Sequence, residues 1–210
     1  PFERYGNVSL RYVDSVGDLH QPDMIIIPGT KSTIADLKWL RQCGLEAAIH
    51  KAADSGTLVF GVCGGYQMLG RTVSDPEQVE AAGVTEILGM GLLEMDTICL
   101  GEKVQSQTSG VFSHISGMLS GLNGLSYYGY EIHMGRSEEQ MPALAGTGNV
   151  YGSYVHGVFD APGITDKILQ AICARKCIDF EALETFDIVE YKERQYDLLA
   201  EAVRNGLDMD

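Results

Sequence analysis

The stretch Leu58-Val59-Phe60-Gly61-Val62-Cys63-Gly64-Gly65-Tyr66-Gln67-Met68-Leu69-Gly70 leaves few folds open to this chain. An apolar run of strand length enters a turn of small residues, a cysteine occupies its apex, and an apolar helix start leaves it. That order is the pattern of a nucleophile elbow, where a buried parallel strand turns sharply into a helix and displays one side chain at the bend. Gly61 and Gly65 must be small, because a Cβ at either place would strike the strand or a bound substrate. A helix starting near Gly64 turns free N–H groups and its positive dipole end toward the cleft, which favours a thiolate and, later in a reaction, an oxyanion. A thiol of pKa about 8.5 is mostly protonated at neutral pH, so nucleophilic chemistry also asks for a base beside Cys63. Without one, Cys63 reads as a buried structural cysteine.

Upstream, Asp23-Met24-Ile25-Ile26-Ile27-Pro28-Gly29 is a buried strand ended by Pro28 and Gly29. A helix follows, with Ile34, Leu37 and Leu40 inward, Ser32 or Thr33 as N-cap, Asp36 in its first turn and Gly44 closing it. Strand, glycine, Lys-Ser-Thr and helix invite a phosphate-loop reading, which fails on spacing. That loop needs glycines immediately before the lysine and five residues earlier still, where this chain has Thr30 and Ile25. Residues 28–30 read better as a loop at the carboxyl end of a strand, where open α/β sheets place their ligands, with the Gly29 and Thr30 amides available to an oxyanion. A second helix, Leu45 to Ala53, leads into the elbow strand. Strands alternating with helices predict a mostly parallel open sheet with helices on both faces, a three-layer flavodoxin-like α/β domain spanning residues 1–210.

Beyond the elbow, residues 71–86 read as a surface excursion, 87–97 and 104–113 as short strands, and 117–124 as a glycine-rich turn. Residues 8–12 form a short alternating segment near the start. Tyr127 to Ser137 is a strand on which Glu131 and His133 share a face, and Val150 to Asp160 another, with His156 at its end followed by Gly157. A histidine there points into the same cleft as Cys63. Gly163 to Arg175 is a helix. The tail from Ile188 to Asn205 is amphipathic, with Tyr191, Tyr196, Leu198, Leu199 and Val203 forming a packing stripe.

Composition removes other classes. A formal charge of −14 lacks the basic patch that nucleic-acid binding requires. No apolar run approaches the roughly 20 residues that cross a bilayer, and no basic-then-apolar leader is present, so a soluble, cytoplasmic protein is expected. Cysteines 43, 63, 99, 173 and 177 are odd in number and scattered, which argues against a disulfide framework. The Cys173/Cys177 pair has no matching His/Cys pair at zinc spacing, so no metal site is expected. His20, His50 and His114 have no motif around them and read as surface residues. The chain begins at Pro1, which suggests a piece of something longer.

Gly61-Val62-Cys63-Gly64-Gly65-Tyr66-Gln67 with Tyr154-Val155-His156-Gly157-Val158-Phe159-Asp160 resembles the class I (triad-type) glutamine amidotransferase family. Pro28-Gly29-Thr30-Lys31-Ser32-Thr33 and Gly129-Tyr130-Glu131-Ile132-His133-Met134-Gly135-Arg136 are similar to the carboxyl-terminal domain of cobyric acid synthases. Related cobyrinic acid a,c-diamide synthases and the lipid II amidotransferase glutaminase share the elbow and the histidine but differ at those two motifs. The resemblance implies a glutaminase that releases ammonia from glutamine. It also implies an amino-terminal synthetase domain, absent from this chain, that uses ATP and magnesium to amidate the b, d, e and g carboxylates of a corrinoid. No cofactor is implied for the chain itself.

By position, Cys63 corresponds to the nucleophile and His156 to the base, with Gly29, Thr30 and Gly64 as oxyanion donors. Many relatives carry a glutamate two residues after the histidine; Val158 stands there instead. Either a dyad suffices or Asp160 or Glu131 takes the third place. Gln67, one turn beyond Cys63, either contacts the substrate or braces the elbow. Arg136 either pairs with the glutamine α-carboxylate or is a solvated surface arginine. A cysteine peptidase or isomerase on the same fold, and a non-catalytic amidotransferase-like module, are the competing readings.

Overall fold

The computed structural model describes residues 1–80, 83–137, 142–180 and 188–206. In chain order its strands are β1 Met24–Ile27, β2 Leu58–Val62, β3 Thr72–Ser74, β4 Glu86–Leu88, β5 Asp96–Val111, β6 Ser126–Arg136, β7 Ala145–Thr147 and β8 Val150–Ser153. The helices are α1 Val16–Leu19, α2 Thr33–Gln42, α3 Leu45–Asp54, α4 Gly64–Leu69, α5 Ile164–Lys176 and α6 Ile188–Gly206.

The first sheet has the order β1-β2-β8-β7, with β1, β2 and β8 parallel and β7 antiparallel at the edge. Its central strands read as continuous apolar runs because both faces are covered. Ile25, Ile27 and Val59 pack with Leu37 of α2, Ile49 of α3 and Tyr66 and Leu69 of α4. Their neighbours Leu58 and Phe60 pack on the other face with Ile164 and Ile168 of α5 and with Phe2. Side chains alternate across a strand, so this division gives the expected three layers. Leu37 and Ile168 are fully buried, each contributing about 2 kcal/mol from removed apolar surface.

The mostly parallel sheet with helices on both faces is as expected, and a second sheet stands beside it. This second sheet, β4-β3-β5-β6, is built around the antiparallel β5–β6 pair, and β5 alone runs for 16 residues where two short strands were expected around it. Its register shifts between Cys99 and Val104. The turn-like residues 101–103 are absorbed there as an irregularity, and a mostly polar strand with a wet face shows little apolar alternation. An isolated bridge between Tyr130 and His156 ties the two sheets together.

Three further expectations change. Residues 8–12 form no strand, and Tyr12 is 90% exposed. Ser32 holds the N-cap position of α2, yet its side chain makes no capping bond. The Ile34 N–H donates instead to the Glu80 carboxylate at 3.3 Å, from within the supposed surface excursion. Most of the apolar stripe of α6 is exposed: Tyr196 is 60%, Leu198 51% and Leu199 62% exposed. Amphipathicity tells that a helix has a face to cover; it does not tell what covers it. All five cysteines are free. No helix among the described residues is long and apolar enough to cross a membrane.

Candidate active site

Cys63 sits at φ +50°, ψ −110°, between β2 and α4. A non-glycine residue in that region is strained, and the surroundings impose it. A Cβ on Gly65 would lie 2.1 Å from the Ile27 carbonyl oxygen, and one on Gly61 would lie 2.6 Å from the Gly65 carbonyl oxygen. The expectation for both glycines therefore holds, and the crowding comes from backbone alone. Cys63 N–H donates to Ser153 O at 2.8 Å, and the Gln67 N–H donates to Cys63 O at 3.0 Å. These contacts leave the bend one conformation.

His156 arrives by a different route. Just past β8, the Val155 N–H donates to Ser153 Oγ at 3.0 Å, and Gly157 turns the chain away at φ +79°. His156 N–H donates to Tyr130 O at 2.8 Å, and Tyr130 N–H donates back to His156 O at 3.2 Å. Gly129 permits this approach, since a Cβ there would lie 2.1 Å from His156 O. A Cβ on Gly29 would lie 3.0 Å from His156 Cε1 and 3.4 Å from Cys63 Cβ. Cys63 Cβ and the Cε1 edge of the His156 imidazole thus both border the bare Cα of Gly29, while Cys63 Sγ donates to Ile132 O at 3.7 Å. The same loop brings the Thr30 nitrogen to 3.1 Å from a Cβ placed on Gly64. Gly29, Thr30 and Gly64 are brought together at Cys63.

The two candidate carboxylates are engaged elsewhere. Glu131 faces His133 Nε2 at 3.4 Å, while His133 Nδ1 meets Gly135 O at 2.7 Å and its ring stacks on Tyr154 with centroids 4.1 Å apart. Asp160 pairs with Lys192 of α6 at 3.1 Å. His156 Nε2 is buried without a hydrogen-bond partner among the described residues. Neither Glu131 nor Asp160 is placed as a third triad member.

Gln67 is buried, its amide held at both ends: Thr33 Oγ1 donates to Oε1 at 3.0 Å, and Nε2 donates to the Tyr154 hydroxyl at 3.4 Å. These bonds tie α4 to Thr33 of α2 and to Tyr154 beyond β8. Gly135 lies against it, since a Cβ there would be 2.3 Å from Gln67 Nε2, and Arg136 follows, exposed at the end of β6.

Burial pushes the Cys63 thiol up to about 11; the Gly64 N–H opposes the shift, while Glu80 and Glu131 add to it. Burial, and then the nearby His133, lower His156 below the usual histidine value. The resting pair is therefore neutral thiol and neutral imidazole at pH 7. Glu80 itself is raised by burial, against hydrogen bonds from Thr33 and Ile34. A lone glutamate in a polar loop carries no periodic signal, and its reach to α2 and Cys63 is a product of tertiary structure.

His156, Tyr130 and Asp160 also line a cleft of about 470 Å³ with Gln107, Thr108 and Tyr128. Among the described residues, no group of three or more His, Cys, Asp or Glu could hold a metal ion.

Comparison with known proteins places the chain in a family. A cobyric acid synthase of Lachnoclostridium phytofermentans is 49% identical over 99% of this chain, and one of Ruminiclostridium cellulolyticum is 45% identical over 96%. The chain spans 45% and 43% of those two proteins, about half the length of the curated relatives it matches. A crystal structure of a glutamine amidotransferase superposes on 76% of the chain and 84% of its own with a TM-score of 0.50 at 20% identity, a likeness of fold. Residues 1–164 match the CobB/CobQ-like glutamine amidotransferase domain, so the chain, with its strained cysteine and half-buried histidine both bordering Gly29, belongs to that family.

Proposed function

We propose that the chain hydrolyses glutamine through Cys63 and His156 and delivers the ammonia to the amide-forming half of a cobyric acid synthase. The observation that carries this reading is that Cys63 Cβ and His156 Cε1 both border the Cα of Gly29. The curated relatives favour a cobyric acid synthase over a diamide synthase or a lipid II amidotransferase.

A neutral His156 accepts the Cys63 proton as the sulfur attacks the side-chain carbonyl carbon of glutamine. The oxygen, now negative, takes hydrogen bonds from the amides of Gly29 or Thr30 and of Gly64, each donor lowering the barrier by about 3 kcal/mol. The C–N bond breaks, His156 returns its proton to the departing ammonia, and a thioester remains. Water, deprotonated by His156, then cleaves it to glutamate and free Cys63. A base whose pKa lies below the usual histidine value stays unprotonated at pH 7, so activity falls only as pH drops through that lowered value. Arg136 is the cation assigned to the glutamine α-carboxylate. ATP, magnesium and the corrinoid belong to the amide-forming half, and a cytoplasmic location goes with this reading.

The test combines a diazo-ketone analogue of glutamine with Cys63→Ser. The analogue is expected to alkylate the peptide containing residue 63, and the variant to lose glutamine hydrolysis by about a thousandfold or more with its fold intact. Parent-level hydrolysis by Cys63→Ser would overturn the assignment.

A further inference from the structure

In a triad, a carboxylate holds the catalytic imidazole in its working orientation. Here Val158 stands where that group is expected, Glu131 is turned to His133, and Asp160 is held by Lys192. The geometry points to Tyr130 as the positioning residue that orients the His156 imidazole in place of a triad carboxylate.

Three observations converge on it. The two rings lie nearly parallel, at 8° with centroids 5.0 Å apart, so the phenol covers one face of the imidazole and fixes its plane. The reciprocal backbone hydrogen bonds make Tyr130 and His156 a directly opposed antiparallel pair, which puts both side chains on the same side of the bridge. Tyr130 is 51% exposed, so it adds little to the core, and its contact with His156 is what its place on β6 supplies. The Gly29 backbone meets the Cε1 edge of the imidazole. Plane and edge are both set by these contacts, and among the described residues Nε2 has no hydrogen-bond partner and so remains available for proton transfer.

This inference rests on the glutaminase reading. The titratable groups around His156 are His133 of β6, Asp160 beyond β8, Tyr130 with Tyr128 along the cleft, and Cys63 across Gly29. Removing the phenol admits water to the imidazole, which raises its pKa toward the ordinary value and moves the acid limb of the rate profile to higher pH.

Glutamine hydrolysis is measured for Tyr130→Phe, Tyr130→Ala and Tyr130→Leu, with Cys63→Ser as reference. Tyr130→Phe is expected within about twofold of the parent, and Tyr130→Ala to lose about tenfold in kcat with KM nearly unchanged and the acid limb displaced upward, since a misaligned base forfeits part of its contribution. Tyr130→Leu, which suits a strand but has no flat ring, carries the test if the alanine variant fails to fold, and the same kcat loss is expected of it. Parent-level kcat in the folded Ala or Leu variant, while Cys63→Ser is inactive, overturns the role of Tyr130 and leaves the glutaminase reading standing. Equal losses in Tyr130→Phe and Tyr130→Ala would also overturn it, by moving the effect to the hydroxyl. An active Cys63→Ser would instead remove the glutaminase reading itself.

Discussion

The two sides of the Cys63–His156 pair are held by different means. The cysteine side is over-determined by main chain: a positive φ, a carbonyl 2.1 Å from where a Cβ on Gly65 would sit, and hydrogen bonds at the Cys63 N–H and C=O. The histidine side is held by one isolated bridge to the second sheet, a ring stack and a glycine edge, and its Nε2 is unpaired among the described residues. A nucleophile must stand in one place, whereas a base that accepts and returns protons needs an unengaged nitrogen. Rigidity sits where position matters and openness where protons move.

The largest effect expected from this contrast is on stability. Gly65→Ala drives a methyl into the Ile27 carbonyl, with no flexible side chain to yield, and is expected to cost at least about 3 kcal/mol in denaturant unfolding. A variant of parental stability would show the cysteine side to be softer than its contacts imply.

Gly29→Ala tests the meeting point itself. The added methyl presses on His156 Cε1 at 3.0 Å and Cys63 Cβ at 3.4 Å, separations that neighbouring atoms can widen by a few tenths of an ångström. Hydrolysis is expected to fall about a hundredfold while the unfolding midpoint changes little, because the pair loses alignment before the fold loses packing. Loss of stability in proportion to activity would erase the distinction between the two sides.

The smallest effect concerns charge. With the thiol pushed up to about 11, alkylation of Cys63 by iodoacetamide should rise with pH well beyond the range of an ordinary cysteine. Neutralising a neighbouring carboxylate lowers that value, so Glu131→Gln is expected to speed alkylation at pH 9 by about two- to threefold. A slower reaction would mean that Glu131 acts mainly through its contact with His133.

How far the sequence could be read follows the same division. The elbow, its two obligatory glycines and the helices Thr33–Gln42, Leu45–Asp54 and Ile164–Lys176 were legible, because apolar runs, periodicity and breakers are local signals. The position of His156 near a strand end and before glycine was legible, although β8 stops at Ser153. The long polar strand Asp96–Val111 was not, since a wet face carries no alternation. Nor was Glu80, whose hydrogen bonds to Thr33 and Ile34 span more than forty residues of sequence.

The sequence by itself determined the strand, the bend and the cysteine at its apex, because steric exclusion at a tight turn is settled by residues within a few positions of one another. Only the tertiary structure decided what stands beside the base, that Glu131 serves His133, that Asp160 serves Lys192, and that Tyr130 covers the imidazole. Those outcomes depend on which of several equally polar side chains two separately formed sheets bring within reach, and local patterning holds no record of that choice.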